Sequence, residues 1–287
     1  MNDFFSKLEN FFFDILGLIL PGVVFLLILL SPVLLVDMEK MENIAGQSVI
    51  LSALTTVWNI LKEHWVSDRG SVLAIATILA YLIGHTVKVF SRIKYEFLTA
   101  IFDKGLNRPV TRLYNKAKSW IFPKDPYKLK PVLRPFKNLI ASIFTFETVS
   151  YSPKDKIIRQ NSLNILNDSL KIELPDDEYS IVKISAVITN QEKLRSLGTF
   201  YLAKYNLYRS LAMIFLFTTF YYLYFYKVTD SLLSATSRGI SCIVLLGPII
   251  FWYTFHEKYK RYWNLYGGER LMSLFYFLNK KKLNERG

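Results

Sequence analysis

The residues best suited to chemistry in this chain are cations set beside aromatic rings. Lys204, Tyr205, Tyr208 and Arg209 form one group, and Lys258, Arg261, Tyr262 and Trp263 form another. Spacings of three and four residues place members of each group on one side of a helix. Together they read as a basic-aromatic ligand site beneath a membrane, while the cations of residues 89–140, interleaved with Tyr114, Trp120, Phe122, Tyr127 and Phe136, suit anionic lipid headgroups or the phosphates and bases of a single strand. An interfacial tail lying on lipid headgroups is the other reading of the second group. A further set, Asp14, His85 and Lys88, places ionisable groups at the ends of apolar runs. There a pore or gate role competes with an ordinary solvated boundary position.

Enzymatic groupings are missing from the sequence. It has no phosphate-binding glycine loop, no dinucleotide-binding glycine motif, no two-histidine or paired-cysteine zinc motif and no nucleophile elbow. His64, His85 and His256 are far apart. Asp176, Asp177 and Glu178 are consecutive and do not face one point on a helix, so no metal site and no cofactor is expected. The single cysteine, Cys242, excludes a disulfide-stapled secreted domain. A non-enzymatic protein is expected.

These groups must be held by elements, and charge shows where the elements lie. The chain has 287 residues, 36 Lys and Arg, 23 Asp and Glu, and a net charge of +13, yet 52% of it is hydrophobic. That apolar content excludes a disordered chain, and so many charges exclude a wholly embedded one. Residues 1–87 carry −4, 88–140 carry +10, 141–207 are neutral, 208–255 carry +2 and 256–287 carry +5. Charge and apolarity are thus segregated along the chain.

Four uncharged runs stand out: Ile15–Val36 with 22 residues, Gly70–Val87 with 18, and Ser210–Tyr226 and Gly239–Phe255 with 17 each. At about 1.5 Å per residue, the first spans a hydrocarbon core of about 30 Å. The others are near the short limit and are flanked by cations that can snorkel. The alternative is burial in a soluble core. The connecting segments alternate as the positive-inside rule requires: 37–69 is poor in Lys and Arg, 88–209 is rich, 227–238 is short, and the tail is rich. Four passes with both termini in the cytoplasm follow, and the first run is expected to be an uncleaved anchor. The expected fold is all-α, a polytopic membrane protein with four transmembrane helices and a helical cytoplasmic insertion.

The divisions are then an interfacial N-terminal helix over 1–14, a first transmembrane pair over 15–87, a basic cytoplasmic sensor domain over 88–207, a second transmembrane pair over 208–255, and a basic-aromatic cytoplasmic tail over 256–287. An outer amphipathic helix is expected near 47–65, interfacial or re-entrant. Ala76, Ala80 and Gly84 recur every four residues and mark a helix-packing face, within the chain or between subunits. The second run is expected to continue as helix through residue 102, and prolines 109, 123, 126, 131 and 135 then divide the basic segment. Pro175 to Glu178 reads as a helix start. One long helix is expected from Gln191 into the third run, and Gly267-Gly268 is expected to break the tail helix.

Two stretches, YLAKYNLYRSLAMIF (Tyr201–Phe215) and FHEKYKRYWNLYGGERLMSLFYF (Phe255–Phe277), together with the layout of the runs, resemble the small four-pass membrane effectors of bacterial antiphage systems, nearest the Hailong type. The resemblance implies a homo-oligomer, a tetramer, in the bacterial inner membrane. It implies a nucleotide or single-stranded oligonucleotide ligand and a cognate nucleotide-producing or sensor protein as partners beside the lipid bilayer. The function so expected is a channel or pore that depolarises the membrane when the ligand binds. The alternative is a non-enzymatic scaffold that recruits a cytoplasmic protein.

Overall fold

Long apolar runs with few helix breakers can satisfy their backbone polar groups through their own helical bonds. In the computed structural model the described residues are 11, 13–35, 49–103, 142–149, 155–171, 173–174, 178–192, 197–228 and 238–284. All regular structure among them is helical. We number the helices α1 (Leu20–Leu35), α2 (Val49–Ser67), α3 (Arg69–Leu98), α4 (Lys156–Leu170), α5 (Glu178–Gln191), α6 (Gly198–Val228) and α7 (Arg238–Asn284). Residues 1–10, the proline-divided segment, Pro175 to Asp177 and the side chain of Cys242 lie outside this description.

Two π-helical turns flank these helices, at Ile15–Ile19 and Thr99–Asp103. The first has a local cause. Pro21 has no N–H, and its ring crowds the carbonyl four residues back, so the backbone widens; Leu20 N–H donates to Ile15 O, five residues away. Asp68 joins α2 to α3 and caps the latter, accepting from Ser71 N–H at 3.1 Å and from the Ser71 hydroxyl. Those bonds hold the Asp68 carboxyl below its usual pKa, the serine hydroxyl contributing most.

The chain divides into two compact units. The apolar unit comprises Asn10–Ile93 and Asn206–His256. Its core is built from Val87, Leu207, Leu211 and Ile214, with Val24, Phe25, Ile28, Ile83 and Phe255 packed around them. This joins α1, α3, α6 and the first half of α7. Tyr221 donates to Leu29 O at 2.8 Å, and the Tyr222 and Ser31 hydroxyls are 2.8 Å apart, fixing α6 to α1. The mixed unit comprises Met1–Glu9, Lys94–Tyr205 and Glu257–Gly287. There Leu163 of α4, Ile181 of α5 and Leu271 of α7 form one core cluster. Leu166, Leu274 and Leu278 form the next. Buried Arg270 of α7 donates to Thr189 Oγ1 in the last turn of α5, where a cation complements the helix dipole.

Two local expectations change, and the expected amphipathic helix is present. The helix expected from Gln191 starts at Gly198, a residue that costs a helix least at its first position. Gly267-Gly268 does not break the tail: α7 is continuous through both. Two interior glycines cost about 1 kcal/mol each, but Tyr266 and Leu271 are buried on either side of them, and that packing outweighs the cost. The amphipathic helix over 47–65 runs from Val49 to Ser67. By length and composition, one helix among the described residues qualifies to cross a membrane, residues 69–102, with 17% of its apolar stretch buried. The tyrosines at 221, 222, 224 and 226 make the α6 run less apolar than its lack of charge suggests.

Candidate functional site

The packing-face residues are the most sharply placed. Ala80 and Gly84 are buried, and Ala76 is half-buried. A Cβ on Gly22 of α1 would lie 1.7 Å from Ala80 O, and one on Gly84 would lie 1.9 Å from Leu18 O. Backbone touches backbone at both points, so the small-residue stripe is used inside the protomer, by α1 and the π turn before it.

Asp14, Lys88 and Arg209 fall in the apolar unit as well. The half-buried Lys88 ammonium lies within electrostatic reach of the Arg209 guanidinium and the Asp14 carboxylate. It also sits 4.9 Å from the Phe13 ring centroid. Arg209 is buried, 9% exposed, and its Nη2 donates to Asn206 Oδ1 at 3.4 Å. A buried arginine beside an uncharged run is costly to keep and therefore a functional candidate. His85 is exposed and meets Tyr81 edge-on at 4.7 Å. Tyr208 stacks on Phe255 at 5.8 Å in this unit.

Lys204, Tyr205, Lys258, Arg261, Tyr262 and Trp263 belong to the mixed unit. There α6 and α7 lie side by side. Tyr205 packs against Trp263 at 4.9 Å and against Tyr259 at 5.9 Å. The Lys204 ammonium sits over two rings, Phe200 at 4.3 Å and Tyr262 at 5.2 Å. Lys258 and Arg261 are exposed on α7. The eight residues expected to form one ligand site therefore divide. Lys204, Tyr205, Tyr262 and Trp263 come together with cation and rings in contact, while Tyr208 and Arg209 are held in the other unit.

The structure adds residues to this cluster. Tyr259 is 1% exposed, donates to Phe146 O at 2.9 Å and packs on Tyr95 at 4.5 Å. Phe102 packs on Phe144 and Phe146 at 5.7 and 5.5 Å. Lys94, beyond the uncharged run of α3, has its Nζ buried and 4.0 Å from the Tyr95 ring centroid. Lys260 pairs with Glu257 at 2.6 Å and donates to the carbonyls of Ser142 and Thr145, both at 3.1 Å. It is committed to holding that segment. Tyr259 was within reach of sequence reasoning, since it shares a helical stripe with Tyr262 and Trp263. Lys94 and Phe146 are remote in sequence, and only the fold brings them in.

No group of three or more metal-ligating side chains occurs among the described residues. The donors gathered here are ammonium groups and rings, which suit an anionic, stackable ligand. No family model matches the chain, and no curated protein or solved structure is significantly similar to it.

Proposed function

We propose that this protein is a four-pass inner-membrane channel or pore effector, acting as a homo-oligomer and opened by a cytosolic nucleotide or oligonucleotide. The runs in α1, α3, α6 and α7 are the spans, and the mixed unit is the sensor. One observation carries the reading: α6 is a single uninterrupted helix that holds both Lys204 and Tyr205 and the uncharged run 210–226. A ligand that re-orients the first part of a continuous helix displaces the second part with it, because a helix transmits rotation along its axis. The α3 helix shares this property, passing from its uncharged run to Lys94 and Tyr95. In this mechanism ligand charge is met by lysines and ligand bases by the Tyr205 and Trp263 rings. Rotation of α3 and α6 then opens a path lined by several copies. The resemblance of Tyr201–Phe215 and Phe255–Phe277 to antiphage effectors motivates a role in defence, in which loss of membrane potential halts the infected cell.

The test is reconstitution of the whole chain in liposomes with an entrapped ion-sensitive dye. Single-stranded oligodeoxynucleotides or nucleotides added at the sensor side are expected to release ions, and native mass in detergent is expected to show an oligomer. A strict monomer, or vesicles that never conduct with any such ligand, would leave the scaffold reading in its place.

A further inference from the structure

Lys94 differs from Arg209, Arg270 and Lys88. Arg209 donates to Asn206, Arg270 donates to Thr189, and Lys88 has Asp14 within electrostatic reach. Lys94 Nζ is buried with no hydrogen-bond partner and rests on the face of Tyr95. Taking an ammonium out of water without acceptors costs far more than one ring returns. Such a group is retained where something absent from the folded chain completes it.

Its surroundings indicate what is absent. Tyr95 begins a row of rings: Tyr95 to Tyr259 at 4.5 Å, Tyr259 to Tyr205 at 5.9 Å, and Tyr205 to Trp263 at 4.9 Å. The far end of the row is the cation-aromatic cluster already assigned to the ligand. Other polar groups nearby are occupied, Lys260 by Glu257 and two carbonyls, and the Tyr259 hydroxyl by Phe146 O. We propose that Lys94 is a ligand-binding residue, whose ammonium anchors a phosphate of the molecule that stacks on Tyr205 and Trp263. This assignment rests on the nucleotide-ligand reading above. A phosphate supplies the acceptors and the counter-charge that Lys94 lacks.

The test compares full-length wild type with Lys94→Met and Lys94→Gln in detergent. The probes are a fluorescent deoxythymidine octamer, ATP and inorganic pyrophosphate. Both variants are expected to melt at or above the wild-type temperature, because a buried charge has been removed. Both are expected to bind the phosphate-bearing probes about tenfold or more weakly, the scale of one charge-assisted contact. If Lys94→Met fails to fold, Lys94→Gln carries the comparison. Binding of the octamer or ATP by either variant within twofold of wild type overturns the role of Lys94 and leaves the nucleotide reading intact. Binding of pyrophosphate alone, dependent on Lys94, keeps the phosphate anchor and overturns the nucleotide reading. Wild type that binds none of the three overturns both.

Discussion

At Gly22 and Gly84 the chain has no room for a methyl group. The Cβ positions there fall 1.7 and 1.9 Å from carbonyl oxygens of a neighbouring segment, and backbone cannot move aside as the end of a side chain can. Gly84→Ala therefore has to push α3 away from the π turn before α1. Gly22→Ala has to push α1 away from α3. Each is expected to destabilise the apolar unit by about 1–3 kcal/mol or more, the cost of overpacking a closed contact. Gly247 is the control, because nothing lies within 4 Å of its Cβ position; Gly247→Ala is expected to keep or slightly raise the melting temperature, since alanine costs a helix interior less than glycine. Thermal unfolding followed by tryptophan fluorescence in detergent measures all three. A Gly84→Ala protein as stable as wild type would mean that α1 and α3 are not in backbone contact. The spacing of Ala76, Ala80 and Gly84 identified this face from sequence alone, because close helix packing leaves a four-residue signature. The partner was not legible: Gly22 stands alone beside Pro21 and carries no repeat. The setting of Lys94 was equally unreadable, as the Tyr95 ring beneath its ammonium packs on Tyr259 and Phe146, both distant in sequence.

The helices themselves were written more plainly than their ends. Charge-free runs predicted α1, α3, α6 and the start of α7, since an apolar stretch bounded by charged residues has one backbone solution in lipid and a favoured one in a core. Three of the four charge-block boundaries, at residues 88, 208 and 256, fall near changes of compact unit at 94, 206 and 257, while the block boundary at 141 and the unit change at residue 10 have no counterpart. What local rules misjudged was the continuity of α7 through Gly267-Gly268. There tertiary burial around Tyr266 and Leu271 decides against intrinsic preference. The end of α4 shows the converse, a local strain that the sequence does not advertise. Lys171 adopts φ 55° and ψ 35°, the left-handed conformation that glycine ordinarily supplies at a helix terminus, with its N–H bonded to Asn167 O at 2.8 Å. Asn167 Oδ1 then accepts from Leu174 N–H at 3.0 Å, tying down the turn. Lys171 is exposed, so its side chain has little packing to lose. Lys171→Gly is expected to relieve the strain and raise stability by up to about 1 kcal/mol. Lys171→Ala is expected to gain much less, because alanine keeps the Cβ. Equal effects of the two changes in chemical denaturation would show that φ at this position is not the source of the gain.

Topology is the property of the whole molecule on which the proposed function depends, and it separates two arrangements that share every helix. If α3 alone crosses the bilayer, α2 lies on one side and all residues after α3 lie on the other. If all four uncharged runs cross, the short segment between Lys227 and Arg238 returns to the side of α2. Three positions distinguish these cases in a Cys242→Ala background: Glu63 on α2, Lys156 at the start of α4, and Ser234 between the last two runs. Each is replaced by cysteine in turn. An impermeant maleimide applied to spheroplasts is expected to label Glu63→Cys and Ser234→Cys, and to label Lys156→Cys only after lysis. The physical basis is the distribution of Lys and Arg, which disfavours translocating the +10 segment 88–140 and the +5 tail while leaving the −4 first block free to cross. Labelling of Glu63→Cys without Ser234→Cys would reduce the protein to one or two crossings. The uncharged parts of α6 and α7 would then be helices packed within the protein on the cytoplasmic side. A ligand-driven rotation of α6 would then have no membrane path to open, and recruitment of a partner protein would become the better account of the cation-aromatic cluster. With Ser234→Cys labelled, α3, α6 and α7 each carry residues of the sensor and a membrane crossing on one helix. That is the mechanical requirement for a ligand-gated opening.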